Sequence, residues 1–557
     1  MRSTPGCRAR PRSCRPAASG TSGQSASTPR LGRRAFLGAL GGGALALLAP
    51  QRRQLETLLP FGAQTPSASA AVPFRARLPI PPELTGAEIE IPIREAEAQI
   101  LPGRKTKLWT YGGSFPGPTV RRPAGQRTKV TFHHQLPAKA GELSVHLHGG
   151  HNRTQFDGQP GGLTKSQPIS YFCRIPKGLS ARESGNDLLL GPGESKTYVF
   201  DLVEEGRPER AAFQWYHDHR LDKTAPHSWR GLAGMWIVDD ELEESLPLPR
   251  GARDIPLMIA DRSFDRHNQL TDPFRGGLQP PADGIAGQSV LVNGAFMPHH
   301  PVKPCRYRLR VLNVSQFQSY NFHLSNGVSM VQIGSDSGLM PRPVRRNQIL
   351  IGPAERAEVI VDFAAAAGES VELRSSPHGG RNPDGARAYI GALMQFRVDR
   401  ERVHDRTRIP RRLRPLPEWA TRSRRRRDGE PDQTWEITIG GLFKTTWLIN
   451  GRTFNPARAD AFPQLGTTAV WDFHNRTSVA HVMHLHHSDW YLLARDGKPP
   501  PPWEDCLKDT FFVFPGERIR LSGHFADNPG KFVIHCHMFD HEDHGLMSQF
   551  EVVRSRA

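Results

Sequence analysis

The chain has 557 residues, more than one hydrophobic core usually holds, so we expect three or four domains. Hydrophobic residues make up 37% and charged residues 23%, which is typical of a globular protein. The net charge of +18 is concentrated in two segments, since residues 1–70 carry ten Arg against one acidic residue and residues 401–428 carry eleven against four. The rest of the chain is close to neutral, which argues against a nucleic-acid-binding surface.

The N-terminal segment has the features of a bacterial export signal. Arg33 and Arg34 directly precede the apolar run 35–49, which is too short to span a bilayer comfortably and suits the core of a signal peptide. Paired arginines before such a run resemble a twin-arginine signal, whose pathway moves folded proteins. We expect residues 1–70 to be this export signal and a low-complexity leader, with a candidate cleavage site at 68–70. The mature chain, without a membrane span, is then periplasmic, held at the cell envelope or secreted.

Six cysteines limit the disulfides that the chain can form. Two lie in the leader, and the mature chain keeps Cys173, Cys305, Cys506 and Cys536. If Cys536 is a metal ligand, the other three allow at most one disulfide, and the sequence does not select the pair. An oxidising compartment after export permits such a bridge.

A pattern with a period of about 160 residues occurs three times along the chain. It consists of GPGESKTYVF (191–200), GPAERAEVIVDF (352–363) and FPGERIRLSGHF (514–525), whose glutamates Glu194, Glu355 and Glu517 are 161 and 162 residues apart. A second set has the same period: GMWIVDD (234–240), MQFRVDR (394–400) and SQFEVVR (548–554). Two independent sets with one period predict three copies of one domain.

Each copy shows the alternation expected of β-strands. In RYRLRVLNV (306–314), arginines alternate with apolar residues, and a period of two is typical of a half-buried strand. The 53 Gly and 49 Pro residues separate short strands, and no long helical periodicity competes. We predict all-β sandwich domains at residues 75–245, 250–400 and 431–557, with an Arg-rich linker at 401–430.

Ten of the 24 histidines lie in four short groups. The first copy holds HLH (146–148) and HDH (217–219), and the third holds HVMHLH (481–486) and HCHMFDH (535–541). Because side chains two apart on a strand share a face, each HxH motif presents two imidazoles in one direction. Eight imidazoles exceed what one metal ion binds and suit a cluster of two or three ions: His146, His148, His217, His219, His484, His486, His535 and His537.

A second set of metal ligands faces the opposite way. Cys536 points away from His535 and His537, and His481 differs in parity from the HxH pair that follows it. His541 lies beyond the strand, where a loop can return it to the same side. One cysteine with two histidines is the trigonal ligand set of a blue-copper electron-transfer centre. Zinc stays possible for an isolated histidine pair, but zinc sites do not need eight imidazoles and a separate thiolate.

With these motifs the chain resembles the multicopper oxidases of the three-domain, laccase-like bacterial type. The resemblance extends over roughly residues 75–555 and includes SFPGPTV (114–120) and VNGAFMP (292–298). It implies three cupredoxin-like Greek-key β-sandwich domains, the second without copper. It also implies four copper ions, one of type 1, one of type 2 and two of type 3, with a three-copper cluster between the first and third domains.

The resemblance implies a role for each candidate ligand. His481, Cys536 and His541 correspond to the type 1 ligands, and His146 and His484 to the type 2 ligands. The paired type 3 ions correspond to the remaining histidines: His148, His217, His219, His486, His535 and His537. The implied reaction takes four single electrons from a reducing substrate and reduces dioxygen to two waters.

Reduction of dioxygen consumes protons, so carboxyl groups near the cluster matter. Asp157 matches a family carboxylate near the type 2 copper, and Glu542 matches one that relays protons toward bound oxygen. The alternative for each is a hydrogen-bond acceptor that orients a ligand histidine. We predict both as catalytic residues.

We expect an enzyme that couples the one-electron oxidation of small phenolic or aromatic donors to the reduction of dioxygen. One alternative is a cuprous-ion oxidase for copper tolerance, which the lack of a Met-rich insert in a chain with ten Met disfavours. Another is a metal-free cupredoxin-like scaffold protein, which would be expected to lose ligands that this chain keeps. Residues 488–510 are a candidate wall of the donor pocket, through Asp489, Trp490, Glu504 and Asp505, or else a surface loop.

Leu546 stands ten residues after Cys536, where many family members carry an axial Met, and Met547 follows it. An apolar residue there leaves a type 1 copper three-coordinate, which raises its reduction potential. We therefore expect Leu546→Met to lower the type 1 potential in a redox titration. An unchanged or higher potential would contradict the axial assignment.

Overall fold

The computed structural model describes residues 72–162, 179–274, 284–377, 391–440 and 446–554. The predicted leader and Cys173 lie outside the described residues. Strands dominate these ranges, and none of their helices is long and apolar enough to cross a membrane. The α-helices described are α1 (Ala181–Ser184), α2 (Thr224–Arg230), α3 (Glu241–Ser245), α4 (Glu418–Ser423) and α5 (Phe539–Asp543).

The first sandwich is built from β1 (Glu83–Leu84), β2 (Glu88–Ala98), β3 (Thr106–Tyr111), β4 (Gly117–Pro123), β5 (Thr128–His134), β6 (Val145–His148), β7 (Ser195–Phe200), β8 (Val203–Glu204), β9 (Arg207–Pro208), β10 (Ala212–Asp218) and β11 (Ala233–Asp239). One sheet has the order β1-β4-β11-β10-β6 and the other β3-β2-β5-β7, with β8 and β9 as a separate hairpin. Ile91 and Phe132 from one sheet share a buried cluster with Tyr216 and Trp236 from the other, so the sheets pack face to face.

The second sandwich is built from β12 (Asp254–Arg262), β13 (Ser289–Val292), β14 (Ala295–Phe296), β15 (His299–Val302), β16 (Arg306–Asn313), β17 (Tyr320–Leu324), β18 (Met330–Ser335), β19 (Gly338–Arg346), β20 (Ile349–Ile351), β21 (Arg356–Asp362), β22 (Ser370–Ser375) and β23 (Gly391–Val398). Its sheets have the orders β14-β13-β12-β16-β21-β18-β19 and β15-β23-β22-β17-β20. Leu309 and Val359 from the first share a core with Phe322 and Phe396 from the second.

The third sandwich is built from β24 (Gln433–Gly440), β25 (Thr446–Ile449), β26 (Thr468–Asn475), β27 (His481–Leu485), β28 (Trp490–Arg495), β29 (Leu507–Lys508), β30 (Thr510–Val513), β31 (Arg518–His524), β32 (Gly530–Cys536) and β33 (Met547–Val552). Its sheets have the orders β25-β24-β26-β31-β28-β29 and β30-β27-β32-β33. Trp471 and Leu521 from one pack with Val482 and Ile534 from the other.

The three sandwiches share a connection that is typical of Greek-key folds. A strand pairs in parallel with one that is not its neighbour in sequence: β2 with β5, β12 with β16 and β24 with β26. On its other side, the second strand of each pair is antiparallel to a third strand: β5 to β7, β16 to β21 and β26 to β31. The predicted fold class, three cupredoxin-like β-sandwiches, is confirmed, while the residue bounds assigned to the domains stay a prediction.

The repeated glutamates have the same structural role in each sandwich. Glu194, Glu355 and Glu517 directly precede β7, β21 and β31, and each carboxylate accepts the backbone N–H three residues earlier, at 2.9, 2.8 and 2.8 Å. The backbone N–H of each glutamate also donates to the carbonyl of that same residue, so the side chain completes the turn by accepting the first N–H as well. This local requirement accounts for the repetition of the glutamate along the chain.

The prediction that β16 is only half-buried is wrong. Arg308 and Arg310 are 1% and 0% exposed, as fully buried as the apolar residues between them. Arg308 pairs with Glu243 at 2.7 Å, and Arg310 pairs with Asp254 at 2.9 Å and Glu358 at 3.2 Å. Three carboxylates therefore replace the water that the two guanidinium groups would otherwise require.

The Arg-rich linker packs against the sandwiches on both sides of it in sequence. Leu413 is buried with Ile333 and Leu339 of the second sandwich, and Ala420 of α4 is buried with Val470 and Leu493 of the third. Several of its arginines form ion pairs with acidic residues, among them Arg424–Asp505 at 2.6 Å and Arg426–Asp432 at 2.9 Å. These pairs neutralise part of the positive charge counted in the sequence.

Glu517→Ala is expected to destabilise the chain more than Glu194→Ala. The first change removes the turn acceptor and two contacts to Arg495, at 3.0 and 3.1 Å, and leaves a half-buried guanidinium with fewer partners. It should cost about 1–3 kcal/mol, whereas loss of the exposed turn bond at Glu194 should cost less than about 1 kcal/mol. The midpoints of thermal unfolding measure both, and equal shifts would contradict the difference in role.

Candidate metal centre

Two antiparallel strand pairs carry the histidine motifs. In the first sandwich, β6 and β10 place His146 directly opposite His217. In the third, β27 and β32 place His484 directly opposite His535. Alternate residues of a strand share a face, so the pairing of the two strands brings one HxH motif beside the other. The second motif lies on the adjacent strand or runs just past its end. Each outer sandwich therefore presents four imidazoles together.

The imidazoles of the two outer sandwiches meet ring against ring. His146 stacks on His486 with ring centroids 4.0 Å apart, and His148 stacks on His484 with centroids 3.6 Å apart. All four side chains are 2% exposed or less. The predicted histidines thus form one buried cluster, called here the imidazole cluster, between residues far apart in sequence.

Within the imidazole cluster, ring nitrogens point at one another. His146 Nε2 lies 3.4 Å from His484 Nε2, and His535 Nε2 lies 3.1 Å from His219 Nε2 and 3.2 Å from His486 Nε2. Lone pairs of neutral imidazoles repel at these separations, and a shared cation removes the repulsion. The arrangement favours bound metal ions.

Three further histidines of the imidazole cluster have buried nitrogens without a partner. Among the described residues, His148 Nδ1, His217 Nε2 and both ring nitrogens of His537 have no hydrogen-bond partner. The His537 ring centroid lies 4.9 Å from that of His148 and 5.2 Å from that of His217. A buried polar atom without a partner is costly, and a metal ion supplies the missing contact.

The other ring nitrogens determine which tautomer each histidine adopts. His146 Nδ1–H donates to the carbonyl of Asp157 at 2.7 Å, and His484 Nδ1–H donates to the carbonyl of Asp509 at 2.9 Å. Each bond leaves Nε2 unprotonated and facing the cluster. Burial, reinforced by neighbouring imidazoles, lowers the pKa of both histidines well below the usual value, so both stay neutral, as metal ligands must be.

The predicted thiolate set also comes together. Cys536 Sγ lies 3.7 Å from His481 Nδ1 and 3.6 Å from His541 Nδ1, and the two nitrogens are 3.2 Å apart. His481 Nε2 contacts Thr477 Oγ1 at 3.0 Å, which leaves Nδ1 as the free nitrogen. The thiol of Cys536 is free, as are those of Cys305 and Cys506. His481, Cys536 and His541 are called here the thiolate trio.

The surroundings of the thiolate trio are apolar. Leu546 is fully buried and belongs to the same hydrophobic cluster as Cys536, whereas Met547 packs in a different cluster with Leu221. The Trp447 ring lies 4.5 Å from the His541 ring. The leucine, not the methionine, therefore lies on the side of the cysteine.

Comparison with known proteins identifies the family. Two multicopper oxidase family models match the chain, at residues 93–171 and 426–556. The crystal structure of a laccase from Pediococcus acidilactici has a TM-score of 0.71 and 27% identity, covering 87% of this chain and 95% of that one. A laccase from Bacillus stratosphericus is 31% identical over 496 residues, 81% of this chain and 91% of its own length. The chain belongs to the multicopper oxidase family.

A laccase from Haloferax volcanii is likewise 31% identical, over 531 residues that make up 88% of this chain and 87% of its own length. Family membership makes this multicopper oxidase a copper-dependent oxidoreductase that couples oxidation of a reducing substrate to reduction of dioxygen. The donor atoms fit copper, since imidazole nitrogens and a thiolate with two histidines are ligands that copper binds. The prediction of a copper enzyme is confirmed.

Asp157 joins the two outer sandwiches of this multicopper oxidase. Its Oδ2 accepts a hydrogen bond from His486 Nδ1 at 2.8 Å, and its carbonyl accepts the one from His146 described above. Gly158 follows with φ +70°, and a Cβ there would lie 2.6 Å from the His146 backbone, so only glycine fits. Burial raises the pKa of Asp157, against a hydrogen bond from Asn152. Asp157 thus orients one histidine from each sandwich.

Glu542 of α5 makes an equivalent connection. Its Oε2 lies 3.1 Å from His535 Nδ1 and its Oε1 lies 3.7 Å from His219 Nε2. Burial alone would raise the pKa of Glu542, but the two imidazoles outweigh it and lower the pKa to about 2. Both carboxylates predicted from the sequence therefore contact the imidazole cluster.

The sequence analysis missed Asp509 in this multicopper oxidase. Its Oδ1 lies 3.1 Å from His148 Nε2, and its carbonyl accepts the Nδ1–H of His484. It directly precedes β30, which is buried throughout. The available signal was a polar Asp-Thr pair at the start of an apolar strand, in a segment assigned instead to the donor pocket.

That assignment to the donor pocket is wrong for Trp490. The side chain is fully buried, with its ring 4.7 Å from that of Trp471 in the core of the third sandwich. Glu504 pairs with Arg495 at 2.6 Å, and Asp505 pairs with an arginine of the linker. Five of the six residues of β28 are buried, so this strand contributes to the core of the third sandwich and not to a pocket wall.

Asp489 belongs to a buried group of acidic residues around His151. Asp489 Oδ1 lies 3.8 Å from His151 Nε2, and Gln214 Nε2 donates to Glu209 Oε1 at 2.6 Å. Burial raises the pKa of Glu209 to about 8, with Asp489 adding to the rise and His151 opposing it. Burial thus lets Glu209 keep its proton to a higher pH than an exposed glutamate does.

Glu209→Gln should change how stability depends on pH. Because its pKa is raised above the value of 4.5 toward about 8, Glu209 contributes stability that is full below pH 4.5 and is lost as the pH rises to 8. The glutamine keeps the acceptor for Gln214 and does not titrate. Relative to the wild type, the variant should therefore gain thermal stability between these pH values, and a difference that is constant across them would contradict the shift.

Proposed function

We propose that this multicopper oxidase is an exported, laccase-like enzyme that takes single electrons from small phenolic or other aromatic donors and reduces dioxygen to two waters. The thiolate trio, His481, Cys536 and His541, holds a type 1 copper. His146 and His484 hold a type 2 copper. Two type 3 coppers are held by the remaining histidines: His148, His217, His219, His486, His535 and His537.

One observation carries the proposal. Eight buried imidazoles from two sandwiches converge with ring nitrogens facing one another, and a separate thiolate trio is built around Cys536, which is next to His535 on β32. A metal-free scaffold protein would have no use for buried nitrogens without partners, which cost stability. The retention of every one of these groups favours an enzyme over a scaffold.

Copper ions, when bound by these residues, would supply the one-electron redox chemistry that the reaction requires. Cys536 connects the two sites through the chain itself. Its thiol faces His481 and His541, while its neighbours in sequence, His535 and His537, face the imidazole cluster. Few covalent bonds therefore separate the two sites. Trp447 and Phe317, with rings 4.5 and 5.6 Å from that of His541, keep water from the thiol.

Asp157 and Glu542 serve proton delivery in this proposal. Formation of water from dioxygen consumes protons, and both carboxylates are buried against the imidazole cluster. Asp157 Oδ2 accepts from His486, and the raised pKa of Asp157 favours the form that holds a proton, whereas Glu542, beside His535 Nδ1 and with a lowered pKa, is suited to accept and pass one on. Each also orients the histidine that it contacts.

The donor class and the location rest on the sequence. Cuprous ions bind to clusters of thioethers, and a chain with ten Met and no Met-rich insert offers none in its sequence. Aromatic donors are therefore favoured over cuprous ions. Export rests on Arg33 and Arg34 before the apolar run 35–49, which would deliver the folded protein to the periplasm, the cell envelope or the medium.

Copper analysis and oxygen uptake test the proposal together. The fully loaded protein should contain four copper ions per chain, show blue copper–thiolate absorption, and consume oxygen faster with phenols than with cuprous ions. Zinc in the sites, or one copper per chain, would overturn the four-copper assignment. If oxygen uptake is faster with cuprous ions than with any phenol, cuprous ions and not aromatic compounds are the electron donors.

Cys536→Ser should abolish the blue absorption, because the hydroxyl is a poor substitute for a thiolate. Oxygen uptake with phenols should fall by more than about 100-fold. Loss of a residue that only supports a metal ligand already costs up to about 100-fold, and Cys536 is itself a ligand in this proposal. Cys506→Ser is the matched control, since Cys506 is also a buried free thiol but lies outside the thiolate trio. Loss of the blue absorption in the control would show that the band does not report on Cys536.

A further inference from the structure

We propose that Arg356, from the second sandwich, is a positioning residue for the imidazole cluster: through Asp509 it holds His148 and His484 with their free ring nitrogens directed at the copper sites. The inference rests on the proposed function, because it takes the imidazole cluster as the copper-binding site. It assigns a role in the metal centre to the one sandwich that contributes no histidine to the cluster.

Arg356 lies where the three sandwiches meet, and each of its five N–H donors has an acceptor. Nε donates to the carbonyl of Phe213 on β10 of the first sandwich at 3.0 Å. Nη1 and Nη2 donate to the carbonyls of Ala354 and Asp336 of the second sandwich at 3.1 and 3.0 Å. The other two donors form a bidentate pair with Asp509 of the third sandwich, at 2.7 and 2.5 Å. One buried guanidinium therefore ties all three together.

Asp509, held by Arg356, in turn forms hydrogen bonds with two histidines of the imidazole cluster. Besides Arg356, its Oδ1 accepts from Thr510 Oγ1 at 2.7 Å and from His148 Nε2 at 3.1 Å. The carboxylate thereby keeps the His148 proton on Nε2 and leaves Nδ1, the nitrogen without a hydrogen-bond partner, for copper. The Asp509 carbonyl does the same for His484, whose Nε2 stays free.

Asp509 is not itself suited to bind copper. Its carboxylate lies close enough to His148 and His484 for the three to hold an ion together. Both of its oxygens, however, accept from Arg356, and Oδ1 accepts two further bonds. A carboxylate with so many donors has little capacity left for a metal ion. It therefore acts on the ligands and not as one of them.

The ion pair also packs against the backbone beside a ligand. Gly149 follows His148 with φ +91°, and a Cβ there would lie 2.7 Å from Arg356 Nη2 and 3.0 Å from Asp509 Oδ2. The end of β6 is thus in contact with the pair, and a shift of the pair would shift His148.

Lysine cannot replace arginine at this position. Five acceptors in three directions match the planar fork of a guanidinium, whereas an ammonium group has three donors at a single point. A lysine would keep the positive charge near Asp509 but lose the bidentate geometry. This difference separates a positioning role from a purely electrostatic one.

The test uses Arg356→Lys and Asp509→Asn in the full-length protein, with Arg308→Lys as the matched control. Arg308 is a second buried arginine of the same sandwich that pairs with Glu243 and Glu358. Copper affinity of the cluster is measured by chelator competition, type 2 copper by electron paramagnetic resonance, and type 1 copper by the blue absorption. Both test variants should lose about 10–100-fold in cluster affinity, the size expected when a group supporting a metal ligand is removed.

The test variants should also show an altered type 2 resonance while they keep the blue absorption. Arg308→Lys should lower the midpoint of thermal unfolding yet leave copper affinity and spectra unchanged. Unchanged cluster affinity in both test variants, or an equal loss in the control, would overturn the positioning role. If Arg356→Lys does not fold, the near-isosteric Asp509→Asn decides alone. Failure of the proposed function is distinct, because the wild type itself would then lack cluster copper.

Discussion

The imidazole cluster, in which three pairs of facing ring nitrogens lie only 3.1 to 3.4 Å apart, is the constraint on which the rest of the structure depends. Such an arrangement is unfavourable without cations, because lone pairs repel and burial removes the water that would separate them. The fold therefore has to hold the rings in place before any metal arrives. It does so with strand register, with carbonyl acceptors and with carboxylates that fix tautomers.

The three sandwiches share a strand connection and a turn glutamate but divide the work at the metal centre. The first and third present histidines on adjacent strands or directly after them, so that the ladder of each sheet fixes the register of its HxH motifs. The second supplies a buried guanidinium behind those histidines. The same fold thus contributes to the site in two ways: two copies provide metal ligands, and one copy holds those ligands in position.

Much of the site could be predicted because it depends on a period of two. The parity of His484, His486, His535 and His537 places them on one face, and the opposite parity of Cys536 and His481 places these on the other, as the distances bear out. Arg356 and Asp509 could not be found in this way. They are 153 residues apart, and no local pattern links a guanidinium to a carboxylate across two sandwiches.

The lack of any local signal for distant partners also explains the residues whose exposure was predicted wrongly. Alternation in β16 and the acidic residues of 488–510 suggested exposure to water, yet Arg308, Arg310 and Asp489 are buried. A charged residue in a strand is exposed by default, unless partners elsewhere in the chain compensate its charge. Such partners are a property of the tertiary structure, so local sequence gives no sign of them.

The order of the ligands along the chain has a consequence for biosynthesis. The ligands run from His146 to His541, and β32 is enclosed between β27 and β33, the last strand described. During synthesis, the four histidines of the first sandwich are therefore made long before the ligands of the third, and the imidazole cluster cannot form until β27 and β32 have been made. The two halves of the imidazole cluster thus come together only when the third sandwich has folded against the first.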